Sequence, residues 1–346
     1  MPTYFLNFSF LFLFLTSFGQ ADGLSQNYIP YHKKINRAET LFFMEGKTDS
    51  SLVVYDKVFA NYDFIFVKDL VNAAQIAHFS GKPYKKYLEK GFEFGLKIGH
   101  LKSFPLFKEE FEQLKNNKEL QKAYKTNRKK YLERIDFEYL GLMYELFIRD
   151  QFDKRKSDYK SIIQNSLKNL RRIIESKGFP GDKLIGISDS TIFAETGVPQ
   201  LDLKVRAKKF GDELWYVETA DRAFSAKAVF PMLVHHDCAY FKLKNLLWAE
   251  MKKGNIHPRD LGMLYDNIYR SSGQKGFARY CSLPEKQVYF RLNAFADYPE
   301  PTKKNSVETN TLRKKFYIVS LAVDQKKQEF EEKYEFVLFS GFWDCR

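Results

Sequence analysis

The apolar residues of the chain recur mostly at intervals of three and four positions, which places them on one face of an α-helix. The run 137–152 is rich in apolar residues at this spacing. The run 159–178 repeats it at four positions, Ile163, Leu167, Leu170 and Ile174. The same pattern returns at 225–252 and 258–270. The sequence therefore predicts a mainly α-helical protein.

Two signals mark where these helices end and begin. Gly178 and Pro180 follow the run 159–178, as a C-cap glycine and a helix-stopping proline do. Pro258 stands at a position suited to the first turn of a helix.

A minor β part is predicted from three stretches. Turn residues and the β-prone run "ELWYVET" at 213–219 indicate a loop or short hairpin, inserted at about 188–224. Near the end of the chain, the runs 315–323 and 334–342 are apolar and β-prone. The prediction is thus a small β element near 213–219 and 315–342.

The segment 36–95 contains an internal repeat. The runs 37–47 and 72–82 align at a spacing of 35 residues, so that Gly46 matches Gly81, and an amphipathic stretch follows each. Helix, glycine turn and helix at a period of about 34 residues is the layout of the tetratricopeptide repeat. The segment resembles that family, which implies helical hairpins that bind a protein or peptide, or brace the rest of the chain.

The second copy departs from the family pattern. The small residue expected after the turn glycine is Ser51 in the first copy, whereas the second has Lys86. The resulting division is a tetratricopeptide-like region at 20–135 and a second helical domain at 136–346.

Residues 1–19 differ in composition from the rest. Phe10 to Leu15 form an apolar run, no charged side chain precedes Gly19, and Ser17 and Gly19 suit cleavage before Gln20. This is the pattern of a secretory signal peptide. The expectation is an exported protein, periplasmic or extracellular, with no stable membrane anchor after cleavage.

Composition excludes several functional classes. The 346 residues include 34 Phe and 21 Tyr, which suits a sizeable core, and the net charge is +13. Lys and Arg alternate with Asp and Glu, notably at 108–134, which favours solvated helix faces over a nucleic-acid partner. No nucleotide-binding or metal-binding motif is present, so no cofactor is expected. Binding of anionic glycans stays an alternative that rests on the charge alone.

The cysteines leave the redox state open. Cys238, Cys281 and Cys345 are odd in number and lack CxxC spacing. One disulfide with one free thiol and three free thiols are both compatible with the sequence.

The octapeptide "VHHDCAYF" at 234–241 holds adjacent histidines. On a helix over 231–252, His236 falls on the apolar face with Leu233 and Tyr240, and His235 lies about 100° away around the axis. The two side chains therefore do not point at a common ion, and no metal site is predicted. A core histidine, hydrogen-bonded to another helix, is favoured over a catalytic one.

The order of short motifs from about 145 to 319 resembles an uncharacterised bacterial domain of unknown function. Its motifs are Asp-Gln with a basic residue, Gly-Trp-Pro, a Gln-His or His-His pair, a late Asp, Gly-x-Gln and an Arg. The matching positions here are Asp150, Gln151, Arg155, the run 178–186, His235, His236, Asp266, Gln274 and Arg313. The Tyr-Gly-Thr sequence that follows Gly-x-Gln in the family is missing after Gln274. The family implies no reaction.

Two functions remain open. The first is protein or peptide interaction, or scaffolding, through the helical repeats. The alternative is an envelope or extracellular hydrolase in which His236 is the acid–base residue and Asp150 or Asp266 orients it. Candidate binding residues around that site are His235, Gln151, Arg155, Gln274 and Arg313.

Overall fold

A computed structural model of the chain describes residues 26–154, 156–189, 191–197, 225–269, 280–292, 298–300 and 302–338. Within these ranges every regular element is helical and no strand is present, so the prediction of a mainly α-helical protein is confirmed. The α-helices are α1 Ile29–Phe43, α2 Thr48–Asn61, α3 Val67–Phe79, α4 Lys85–Phe92, α5 Phe111–Asn116, α6 Lys118–Arg134, α7 Phe137–Asp153, α8 Tyr159–Lys177, α9 Asp182–Ile185, α10 Ile192–Thr196, α11 Phe230–Val234, α12 Ala239–Lys252, α13 Pro258–Asp266, α14 Lys303–Lys315 and α15 Leu321–Tyr334. Short 3₁₀ helices lie at Ile98–Ser103, Pro105–Phe107 and Asn267–Tyr269.

The internal repeat corresponds to two helix–turn–helix units, α1–α2 and α3–α4. Gly46 and Gly81 both have a φ of 65°, in the left-handed region that glycine enters without a steric cost. The residue after each glycine bonds back into the preceding helix. Lys47 donates its N–H to the carbonyl of Leu41 and Lys82 to that of Ala77, each at 2.8 Å.

The two units pack differently. Ser51 is buried between α1 and α2, and its hydroxyl donates to the carbonyl of Ala38 at 2.7 Å, so these helices approach closely. Lys86, at the equivalent place in α4, is exposed and pairs with Asp56 of α2 at 2.7 Å. A lysine side chain at this position does not allow the same close approach.

The main hydrophobic core includes residues from Tyr28 to Leu338, and Ile268, Tyr269 and Tyr289 form a second, smaller cluster. Helix α3 lies inside it, since every residue from Val67 to Ala77 is buried. Helices α1 and α15 are in contact. The division predicted at 135/136 falls between α6 and α7, and residues on both sides contribute to this one core.

Three predicted helix features are present. The four predicted core positions of α8 are buried. Gly178, at a φ of 89°, ends that helix, and Pro258 is the first residue of α13. The predicted helix over 231–252, however, is interrupted between α11 and α12.

The predicted strand at 315–323 is wrong. Lys315 is the last residue of α14, Tyr317 turns the chain at a φ of 58°, and Leu321 opens α15. Ser320 caps that helix, its hydroxyl accepting the N–H of Val323 at 3.4 Å. The run contains β-prone apolar residues, but they are divided between a turn and the first residues of a helix, so they do not form one extended segment.

The other predicted β segments lie partly or wholly outside the described residues. Tyr334 ends α15, and 335–338 form no strand. The hairpin at 213–219, the end of the run 334–342 and the signal peptide at 1–19 lie outside the described residues, as does most of the insertion.

No helix of the described ranges is both long enough and apolar enough to cross a membrane.

Candidate functional site

The interrupted helix places the two histidines of the octapeptide in a turn, residues 235–238. Three contacts from elsewhere in the chain hold this turn. Asn267 donates its side-chain amide to the carbonyl of Val234 at 2.9 Å. Tyr280 donates its N–H to Oδ1 of Asp237 at 3.0 Å. Cys238 is joined to Cys281 by a disulfide.

The disulfide rules out three free thiols, one of the two states that the cysteine count leaves open. It links residues 43 apart, with their Cα atoms at 5.7 Å. Cys345 lies outside the described residues.

His235, at the end of α11, contacts residues of α7 and α8. Its Nδ1 lies 2.7 Å from Oδ2 of Asp150 and 3.0 Å from the hydroxyl of Tyr159. Tyr159 also donates to Oδ1 of Asp150 at 2.7 Å. The Asp150 side chain is 3% exposed and that of His235 14%. A buried carboxylate thus holds the imidazole of a partly exposed histidine.

Gln151 extends this cluster. Its Nε2 donates to Oδ2 of Asp150 at 3.2 Å, and its Oε1 accepts from Nζ of the exposed Lys154. Gln151 therefore lies next to Asp150 in this cluster. Arg155 and Gln274, from the same motifs, lie outside the described residues.

His236 faces the interior instead. It is fully buried, and its ring stacks on Tyr280 with centroids 4.3 Å apart. Its Nδ1 accepts the N–H of Cys238 at 3.2 Å, so its partner lies in the same turn rather than in another helix. Burial lowers the pKa of His236 to about 4, so the ring is neutral at pH 7. Asp150, which is predicted to orient His236, contacts His235 instead.

Asp266 anchors a loop. Its carboxylate accepts the N–H of Phe290 at 2.8 Å, the N–H of Leu292 at 3.0 Å and the hydroxyl of Tyr298 at 2.5 Å. Burial raises the pKa of Asp266 to about 6. These bonds occupy the carboxylate, and none of them joins Asp266 to either histidine.

Arg313 also holds the loop at residue 290. Its side chain is buried and donates to the carbonyls of Phe290 and Val319, at 2.7 and 3.1 Å. It also pairs with Asp324 at 2.7 Å. The guanidinium therefore ties the loop at 290 to the two carboxy-terminal helices.

A second buried polar cluster lies where α1 and α3 meet α13 and α15. Lys68 donates to Asp260 at 3.3 Å, and Lys327 to Glu39 at 2.8 Å. Beside them is a small cavity, with about 20 Å³ of space for the centre of a water molecule, lined by residues that include His32. A space of this size holds about one water. These groups occur at separate points of the sequence, without a motif that connects them.

Tyr159 is a further residue of the site that the sequence patterns do not identify. It is the first residue of α8, after a charged stretch, and nothing local distinguishes it from the other tyrosines. Its importance comes from the packing of α7, α8 and α11 against one another.

No family model matches the chain, and neither a search of curated proteins nor one of solved structures finds a match.

Proposed function

We propose that the protein is an acid–base enzyme of hydrolase type, with His235 rather than His236 as the acid–base residue. The observation that carries the proposal is the 2.7 Å contact between Nδ1 of His235 and Oδ2 of Asp150. A buried carboxylate that accepts the Nδ1 proton of a partly exposed histidine fixes its tautomer and ring orientation.

Tyr159 supports the same arrangement. Burial, followed by the charge of Asp150, raises the pKa of Tyr159, so its hydroxyl stays protonated and donates to the carboxylate. With Nδ1 directed at Asp150, Nε2 is the ring atom through which His235 would take up or deliver a proton. Asp150 and Tyr159 are positioning residues in this proposal.

The test is a panel of chromogenic esters, amides, glycosides and phosphate esters, assayed with the parent chain and with His235→Gln. We expect the variant to lose about 10²–10⁴-fold in rate on any substrate that the parent turns over. His78→Gln is the matched control, because it removes a histidine paired with a carboxylate, Glu110, at another place in the fold. An activity that His235→Gln retains in full rejects the proposal.

Protein or peptide binding by tetratricopeptide-like hairpins is a second candidate. The observation in its favour is that Met44 and Val53, on the first hairpin, are 48% and 49% exposed. Apolar side chains of this size at an exposed surface suit an interface. A photo-crosslinking residue at position 53 should then capture a partner, whereas the same residue at position 57 should not. Equal capture at both positions would contradict binding through this surface.

Export is part of the proposal. The disulfide between Cys238 and Cys281 suits an oxidising compartment, where such bonds persist. Mass spectrometry of the protein from its native cells should find an amino terminus at Gln20, and a terminus at Met1 contradicts it.

A further inference from the structure

The turn that follows His235 brings together four side chains with metal-binding chemistry. Ligand atoms of His236, Asp237 and Cys238 all lie within 4.8 Å of one another. The fourth side chain is that of Cys281, whose sulfur is bonded to the sulfur of Cys238. Two thiolates, an imidazole and a carboxylate are donors that zinc accepts in tetrahedral sites.

The distance between two of these donor atoms is close to that of a zinc site. Sγ of Cys238 lies 3.3 Å from Oδ1 of Asp237. Zinc–sulfur and zinc–oxygen bonds at a tetrahedral angle separate the two ligand atoms by about 3.6 Å. The sulfur of Cys281, now bonded to that of Cys238, must move to about 3.8 Å from it.

Two further observations point to a ligand here. Nε2 of the fully buried His236 has no hydrogen-bond partner among the described residues. Buried polar atoms without partners are rare, and zinc bound at Nε2 would give this atom a partner. The ring proton would then move from Nε2 to Nδ1, in place of the hydrogen bond that Nδ1 accepts from Cys238. The N–H of Tyr280 bonds Oδ1 of Asp237 at 3.0 Å, which is how supporting groups orient a ligating carboxylate.

We propose that reduction of the Cys238–Cys281 disulfide converts this turn into a zinc site formed by His236, Asp237, Cys238 and Cys281. A dithiol reductant supplies two electrons and two protons, which break the S–S bond and give two thiols, and the reductant becomes a disulfide. Zinc then displaces both thiol protons and binds the two thiolates. The oxidised chain lacks both thiolates and does not form the site.

This inference is independent of the acid–base proposal, since its measurement is metal binding rather than turnover. The background is Cys345→Ser, which leaves Cys238 and Cys281 as the two cysteines of the chain. The protein is reduced with a phosphine, which becomes the phosphine oxide with oxygen from water and binds zinc less than a dithiol does. Zinc is then titrated against a chromogenic chelator, with the oxidised protein in parallel.

We expect one zinc ion per reduced chain and none for the oxidised chain. Cys281→Ser and Asp237→Asn should each weaken zinc binding at least about tenfold, whereas His78→Gln should not change it. Cobalt(II) in place of zinc should give the visible absorption bands of tetrahedral thiolate coordination.

Three results overturn the proposal. The first is a reduced chain that binds no zinc, including one that unfolds on reduction and is not refolded by zinc. The second is equal zinc binding by the oxidised chain. The third is unchanged affinity in Cys281→Ser or Asp237→Asn, with far-UV circular dichroism showing that the variants are folded.

Discussion

His235 and His236 are neighbours in sequence but lie in different environments. His235 contacts Asp150 at 2.7 Å and is partly exposed, whereas His236 is fully buried against Tyr280. The turn between α11 and α12 separates the two rings, so His235 faces α7 and α8 and His236 is part of the core.

The contact between Asp150 and His235 should be measurable in a double-mutant cycle. We expect Asp150→Asn and His235→Gln to show a coupling free energy of unfolding of about 0.5–3 kcal/mol, because each removes a partner from a buried cluster. The exposed pair Lys86 and Asp56 is the control, with about 0–1 kcal/mol expected. Equal coupling energies in the two cycles would contradict a special role for the histidine contact.

Replacement of His236 should destabilise the fold. His236→Ala leaves the N–H of Cys238 without its acceptor, which we expect to lower the free energy of unfolding by about 1–3 kcal/mol. His236→Asn should recover part of this loss, since its Oδ1 can accept the same N–H. Urea denaturation distinguishes the two variants, and identical losses would show that the hydrogen bond contributes little.

The left-handed glycines of the two hairpins should not tolerate a side chain. Gly46→Ala and Gly81→Ala should each cost about 1–2 kcal/mol, because a Cβ is strained at a φ of 65° even where space is open. Gly99→Ala is the control, since its surroundings are equally open and its φ is not positive. We expect its effect to stay within about 0.5 kcal/mol. Comparable losses in all three variants would contradict the argument from φ.

Asp69 should make stability depend on pH. Burial raises its folded-state pKa to about 7, above the value of about 3.9 in an unfolded chain. Asp69 therefore disfavours folding increasingly as the pH rises from about 4 to 7. The free energy of unfolding of Asp69→Asn, relative to the parent, should rise across that range.

Asp63→Asn serves as the comparison for the pH experiment. The folded-state pKa of Asp63 is lowered, so its contribution should be constant above pH 5. A pH-independent difference between Asp69→Asn and the parent would contradict the role given to Asp69.

Local patterns predict most of the helices but not their interruption. The spacing of Ile163, Leu167, Leu170 and Ile174 identifies α8, because one buried face is a local property of the sequence. The run from Val234 to Ala239 contains no glycine or proline that would stop a helix. The helix breaks there under long-range contacts, namely the disulfide to Cys281 and the bond from Tyr280 to Asp237.

The candidate site was predictable only in part. The motif order includes Asp150, Gln151 and the histidine pair, and of these Asp150, Gln151 and His235 meet, whereas His236 does not join them. Which histidine faces Asp150 depends on the rotation introduced by the turn, which periodicity cannot supply. The same motif order included Asp266, whose carboxylate holds the loop at 290–292 instead.

The contact between α1 and α15 has a consequence for how the chain folds. The side chain of Lys327 donates a hydrogen bond to Glu39, which is 288 residues away in the sequence. The N–H of Val337 donates to the side chain of Gln75, which is 262 residues away. Contacts at such sequence separations form late, since the entropy cost of closing a long loop precedes the stabilisation that they bring. The first helices therefore cannot complete their burial on the ribosome until the last ones have been synthesised. A chain that ends at Ser320 should accordingly show reduced protection from amide hydrogen exchange in α1 and α3, and full protection there would contradict this order of events.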